Sequence, residues 1–222
     1  MPGKSSGCAG ALPLRRAVTT IFRDDSASGS TAMNMLHRIK GLILSPEDEW
    51  AAIEAERKSV PALYRDYILL LALIPPFAGF LGGYFFGFGH AAGLAGLSLQ
   101  SGLVRAALQY ALSLPMLYVV AFVLSSLAPH FDGKSDDSRA LTLAAYSYTP
   151  AWLAAIFSLV PGLRWLDVLG FYGVLVFYHG LPRMLKIPKD NADVFTLAAL
   201  VLTIAAAALH AWIVRLAAPW SL

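Results

Sequence analysis

The chain has 222 residues, 57% of them hydrophobic and 14% charged, with 17 Lys and Arg against 14 Asp and Glu for a formal net charge of +3. Soluble domains carry about 25% charged residues, so the composition excludes an ordinary soluble fold. Residues 1–66 hold nine of the cations but also eight of the acids, which leaves nucleic-acid binding without support, and the single Cys8 excludes an internal disulfide or a thiolate metal cluster.

Residues 1–32, rich in Gly, Ser and Thr, show neither helical nor strand periodicity and are read as a disordered extension. The pair Arg15 and Arg16 is followed too soon by further charge to open an export signal, and Met33 or Met35 could initiate a shorter product. Leu36, Ile39, Leu42 and Ile43 are then apolar at helical spacing, with His37, Arg38 and Lys40 between them, as in a short basic helix lying on a membrane surface. Ser45 suits a helix cap, Pro46 a first helical position, and Glu47, Asp48 and Glu49 the positive end of a helix dipole. A second helix is predicted from Pro46 to about Arg57, with Trp50 and Ile53 on one face. Residues 33–66 are therefore assigned to cytosolic amphipathic helices, 67–216 to a membrane domain and 217–222 to a C-terminal tail.

From Tyr67 to Val104, 38 consecutive residues carry no Asp, Glu, Lys or Arg. A bilayer core of roughly 30 Å is crossed by about 20 helical residues. Five stretches reach that length: Tyr67–Phe88, Ala106–Ala128, Ala140–Pro161, Leu163–Pro182 and Val194–Val214. The fold class is thus all-α, a polytopic transmembrane bundle of five spans. In the first span Gly79, Gly83 and Gly87 recur every fourth residue, a pattern that lets helices approach backbone to backbone, and Pro75 and Pro76 predict a kink or break near Ile74. The uncharged loop with Gly89, Gly93 and Gly96 is expected to dip into the membrane. With the N-terminus inside, fourteen cations fall on inner segments and three, Arg105, Arg164 and Arg215, outside; the positive-inside rule then places the C-terminus on the far side.

The third and fourth spans carry the most polar detail. Pro150 frees a carbonyl near Tyr146, and Ser147 or Thr149 can repair the break locally. Alternatively Tyr146 faces Tyr172 or Tyr178 and lines a polar cavity, as broken helices do in transporters. Ala145-Tyr146-Ser147, Thr149-Pro150 and Trp152, then Gly170-Phe171-Tyr172-Gly173, Tyr178-His179-Gly180-Leu181-Pro182 and the loop with Lys186, Pro188, Lys189 and Asp190 make a pattern that resembles the Yip family. These are five-span membrane proteins named for interaction with Rab-type GTPases in eukaryotes and widespread in bacteria. The SPEDEWAAIEAE stretch also resembles bacterial members. The resemblance implies a bacterial-type inner membrane protein whose interaction residues include Tyr146, Ser147, Thr149, Pro150, Trp152, Gly170, Tyr172, Gly173, Tyr178, Pro182, Lys186, Pro188 and Lys189. The eukaryotic members' N-terminal region has no counterpart here, which argues against small GTPase binding.

Catalysis needs a nucleophile or metal with a base in reach. His90, His179 and His210 stand on separate segments without metal-ligand spacing. Asp167, three residues after Arg164, is expected to pair with it at the outer rim. No catalytic, metal or cofactor site is expected. The reading is a non-enzymatic membrane protein acting through membrane lipids, other membrane proteins or a second copy of itself in membrane organisation or trafficking. The rival is a small permease or channel subunit with a polar site between the third and fourth spans.

Overall fold

The computed structural model describes residues 35–56, 58–86 and 99–217. The predicted disordered extension, Met33, Gly87, the apolar loop with Gly89, Gly93 and Gly96, and residues 218–222 lie outside the described residues. The chain divides into a short N-terminal unit, Met1–Arg38, and a body, Ile39–Leu222. Among the described residues the body contains helices and their connections and no strand.

Its elements are α1 (35–44, of which 39–44 belong to the body), α2 (Pro46–Glu56), α3 (Val60–Phe85), α4 (Leu99–Phe131), α5 (Asp137–Leu159), a 3₁₀ stretch (Pro161–Phe171), α6 (Tyr172–Met184) and α7 (Lys189–Ala217). Four of them, α3, α4, α5 and α7, are long and apolar enough to cross a membrane. Each runs past the stretch of about 20 residues that the hydrocarbon core demands. The outward faces carry large apolar side chains, among them Phe77, Phe122, Leu197, Val201 and Ile204, as lipid-facing helices do.

The predicted break in the first span is present. Regular helix stops after Leu71 and resumes at Ile74, so the two prolines occupy the first turn of the new segment, where a missing N–H costs nothing. Two tyrosine hydroxyls then fasten α3 to α4: Tyr64 donates to the Leu114 carbonyl at 3.0 Å and Tyr110 to the Leu69 carbonyl at 2.9 Å. The close backbone approach in α3 falls elsewhere than the sequence pattern indicates. Gly79 has open space where a Cβ would project and Gly83 lines a cavity with it, whereas a Cβ on the neighbouring Gly82 would lie 2.5 Å from the Ser158 carbonyl oxygen.

The segment predicted as the fourth span is not one α-helix. Its first part is 3₁₀ helix, and the α-helix proper begins at Tyr172. It is nevertheless the antiparallel partner of α5 along its whole length. A Cβ on Gly170 would sit 3.0 Å from Ala151 Cα, one on Gly173 would meet the Ser147 carbonyl, and one on Gly180 would lie 2.5 Å from a Leu143 methyl. Arg139 reaches the Arg183 carbonyl at 3.4 Å, and the Lys134 amide donates to the Leu185 carbonyl at 2.7 Å. As numbers rise in α5 they fall opposite it. At about 2.0 Å per 3₁₀ residue and 1.5 Å per α residue the return path measures roughly 40 Å, longer than a hydrocarbon core.

Candidate functional site

The polar cluster of the third span folds as a repaired break. A turn at Tyr148 separates Asp137–Ser147 from Thr149–Ala154, with Pro150 in the first turn of the second segment. The Thr149 hydroxyl bonds back to the Ala145 carbonyl at 3.4 Å and shares a 2.7 Å bond with the Tyr67 hydroxyl from α3. Thr149 is fully buried, so this bond ties α3 to α5 inside the bundle.

Tyr146 does not face Tyr172 or Tyr178. Its ring packs edge-on against Tyr67, centroids 4.6 Å apart, and against Trp50 at 6.1 Å. The physical reason is α2, which lies against α6 and drives Trp50 into the cleft between α5 and α6. The indole is fully buried and its Nε1 donates to the Val176 carbonyl at 2.9 Å. Gly180 makes room for it, since a Cβ there would lie 2.7 Å from the indole. Tyr172 turns the other way and donates its hydroxyl to the Ile43 carbonyl of α1 at 2.8 Å. The motif residues Tyr146, Tyr172 and Gly180 thus build the seat of α1 and α2.

Charge closes the rim of that seat. Glu54 of α2 receives Lys186 at 2.5 Å, Arg139 at 3.7 Å and Arg183 at 3.8 Å. Lys186 holds φ at 56°, a left-handed backbone that costs a non-glycine residue on the order of 1 kcal/mol. That conformation turns the chain out of α6 while the side chain reaches Glu54. The bond from Lys186, assisted by the fields of Arg139 and Arg183, holds the Glu54 carboxyl below its ordinary value. A depressed carboxylate stabilises the folded state above its unfolded pKa and loses that contribution as pH falls through the folded one. Glu54→Gln is therefore expected to increase protease cleavage within α1 and α2 at neutral pH and to flatten the acid dependence of that cleavage. His179 joins the same rim, with Nε2 3.7 Å from Glu47.

The remaining motif residues divide by exposure. Trp152 and Pro150 are buried, Gly170 and Pro182 partly so, while Tyr178, Lys186, Pro188 and Lys189 are exposed. The loops that bear them are braced, since Asn191 bonds Asp132 at 2.9 Å beside the Lys134–Leu185 link.

Among the described residues three cavities lie between the membrane helices, one of about 260 Å³ beside Pro75, Gln109, Trp152 and His210 and two that share Asp167. One, of about 280 Å³, runs between α4, α5, α7 and the α6 side, lined by Ser147, Tyr148, Asp167, Gly170, Phe177 and Thr203 among mostly apolar neighbours. The other, of about 390 Å³, is lined by Gly79, Gly83, Arg105, Gln109, Arg164 and Asp167. Asp167 belongs to both walls. Its Oδ1 is buried without a hydrogen-bond partner, and Ser147 Oγ and His210 Nε2 are in the same condition. Sequence reasoning placed Ser147 and Asp167 on different spans and had no signal that one crevice holds both. Among the described residues no group of three or more His, Cys, Asp or Glu is arranged to hold a metal ion.

Apolar membrane-length helices, a full-length antiparallel hairpin and a seated juxtamembrane helix pair define a polytopic helical membrane protein. The Yip1 domain matches residues 40–211, and the chain belongs to that family. It is 29% identical over 170 residues to the inner membrane protein YohC of Escherichia coli K12, covering 72% of this chain and 85% of the relative, and equally to YohC of the O6:H1 strain. No solved structure matches.

Proposed function

We propose that this protein is a non-enzymatic integral protein of a bacterial inner membrane that crosses it five times and acts through protein or lipid partners in membrane organisation. The fifth traverse is the 3₁₀ stretch with α6, supported by its pairing with α5 from Gly170 to Leu185. The cation distribution supports a cytoplasmic N-terminus and an external C-terminus. The inner membrane assignment draws on similarity to YohC.

The observation that carries the interaction reading is the division of labour within the motif. Tyr146, Tyr172 and Gly180 contact α1 and α2, whereas Tyr178, Lys186, Pro188 and Lys189 are exposed, with Lys186 bonded to Glu54 of α2. A photo-crosslinking residue at Tyr178 or Lys189 should capture a distinct membrane protein or a second copy of the chain in living cells, and one at the lipid-facing Val201 should not. Identical products from all three positions would contradict it. A second reading, a small permease subunit, is favoured by the crevice that holds the unsatisfied Ser147 and Asp167.

A further inference from the structure

The cavity of about 390 Å³ between α3, α4, the end of α5 and the 3₁₀ stretch has two guanidinium groups on its wall, Arg105 and Arg164. Arg105 and Gln109 stand four apart on α4 and so share a face. Arg164 and Asp167 stand three apart in a 3₁₀ segment, where side chains at that spacing eclipse. Acid is scarce along this part of the chain. Tyr67–Phe131 and Val194–Leu222 contain no Asp or Glu, and residues 138–189 contain one, Asp167. Two arginines thus share a single side-chain carboxylate, and arginine within a span is tolerated where it pairs with protein or ligand.

Both anchors are open to a ligand. Arg164 is exposed, Arg105 is partly so, and Tyr84 on the same wall is 52% exposed. The remaining space suits an apolar chain. Pro75, Pro76 and Phe80 line it, the Phe80 ring lies 3.0 Å from where a Cβ on Gly102 would stand, and Gly79 has nothing within 4 Å of a Cβ. The volume falls in the range of small-molecule sites.

We propose that this cavity binds a phosphate monoester carrying an apolar chain, with the phosphate on Arg105, Arg164 and the Gln109 amide and the chain along Pro75, Pro76 and Phe80. The planar fork of arginine matches phosphate oxygens. A monoester presents three unsubstituted oxygens and about 1.5 to 2 negative charges, enough for two guanidinium groups and an amide. A diester has one acceptor oxygen fewer. Asp167 leaves the wall with a small positive excess, which suits one phosphate group rather than two. The site stands whichever side of the membrane it opens to, and it goes beyond the partner reading at Tyr178 and Lys189, which lie at the other end of the hairpin.

The test uses the full chain in non-ionic detergent, titrated with phosphatidic acid or with the anionic diester phosphatidylglycerol, and bound lipid is counted by native mass spectrometry. Phosphatidic acid should be retained in preference. Arg105→Gln and Arg164→Gln should each weaken its binding roughly tenfold, as the loss of one charged hydrogen-bonding group does. Arg215→Gln removes the same charge from the last turn of α7 and should leave binding unchanged. Gly79→Leu adds a side chain whose Cβ meets nothing, so it should fold, take up the space of the chain and weaken binding without altering charge. Equal retention of the two lipids, a preference kept in the double variant Arg105→Gln/Arg164→Gln, or an equal loss in Arg215→Gln would overturn the site. Displacement of the lipid by equimolar inorganic phosphate would overturn it too, because the chain would then contribute nothing.

Phosphatidic acid with a diazirine in its acyl chain gives a readout that needs no variant. It should label the α3 peptide containing Phe80. Labelling confined to α2 and α6, beside the cations that hold Glu54, would contradict the proposal and leave the partner reading untouched.

Discussion

Truncating Trp50 to alanine should destabilise the protein by about 3–5 kcal/mol, the range for deleting a large aromatic from a packed core. The indole is fully buried, bonds the Val176 carbonyl, packs against Tyr146 and occupies space that Gly180 leaves for it. α2 is otherwise held mainly by Ile53 and the Glu54 ion pairs, and exposed pairs contribute about 1 kcal/mol or less. The helix should therefore come away as a unit. Melting in detergent should fall, and trypsin should cut at Lys40 and Lys58 in the variant well before the membrane helices are cleaved. Trp50→Phe keeps most of the buried area but loses the indole's hydrogen bond to the Val176 carbonyl, and should cost about 1–2 kcal/mol. A Trp50→Ala protein that melts with the parent and resists trypsin would show that α2 is not seated as described.

The second large effect is expected at Gly173, where the usual sign of a helix substitution reverses. Alanine in place of glycine within a helix normally gains about 0.5–1 kcal/mol. Here the new Cβ would meet the Ser147 carbonyl, backbone that cannot swing aside. Parting α5 and α6 costs about 1–3 kcal/mol by overpacking, so Gly173→Ala should be net destabilising and Gly173→Leu more so. Gly162 is the matched control, because nothing lies within 4 Å of a Cβ there. If Gly162→Ala and Gly173→Ala melt alike, the two helices do not meet along this line.

Much of the architecture was legible in the sequence for one physical reason. A helix in lipid must satisfy its own backbone and cover itself with apolar side chains, so spans announce themselves as long uncharged runs. That reasoning located α3, α4, α5 and α7. It treated the return segment as one α-helix because composition does not distinguish 3₁₀ from α, and only the contacts of Gly170, Gly173 and Gly180 show what the segment pairs with. The glycine pattern of the first span was readable, but which glycine meets a neighbour was not, since that depends on where Ser158 of α5 lies, and it lies against Gly82 rather than Gly79. Pro150 and Thr149 foretold a repaired break. The partner of Tyr146 was not foreseeable in the same way, because Trp50 is nearly a hundred positions away and reaches it through a helix outside the membrane domain. Asp167 was noticed as a carboxylate in a span, but its neighbours Ser147 and Thr203 come from other helices.

The central claim is that the 3₁₀ stretch and α6 return the chain across the membrane. With Cys8 replaced by serine, single cysteines at Gly162 and at Lys189 are probed in intact cells by a membrane-impermeant maleimide. Five traverses predict that Gly162→Cys is labelled from outside and that Lys189→Cys is labelled only after permeabilisation. Labelling of both from outside, or protection of both until the membrane is opened, would contradict the account.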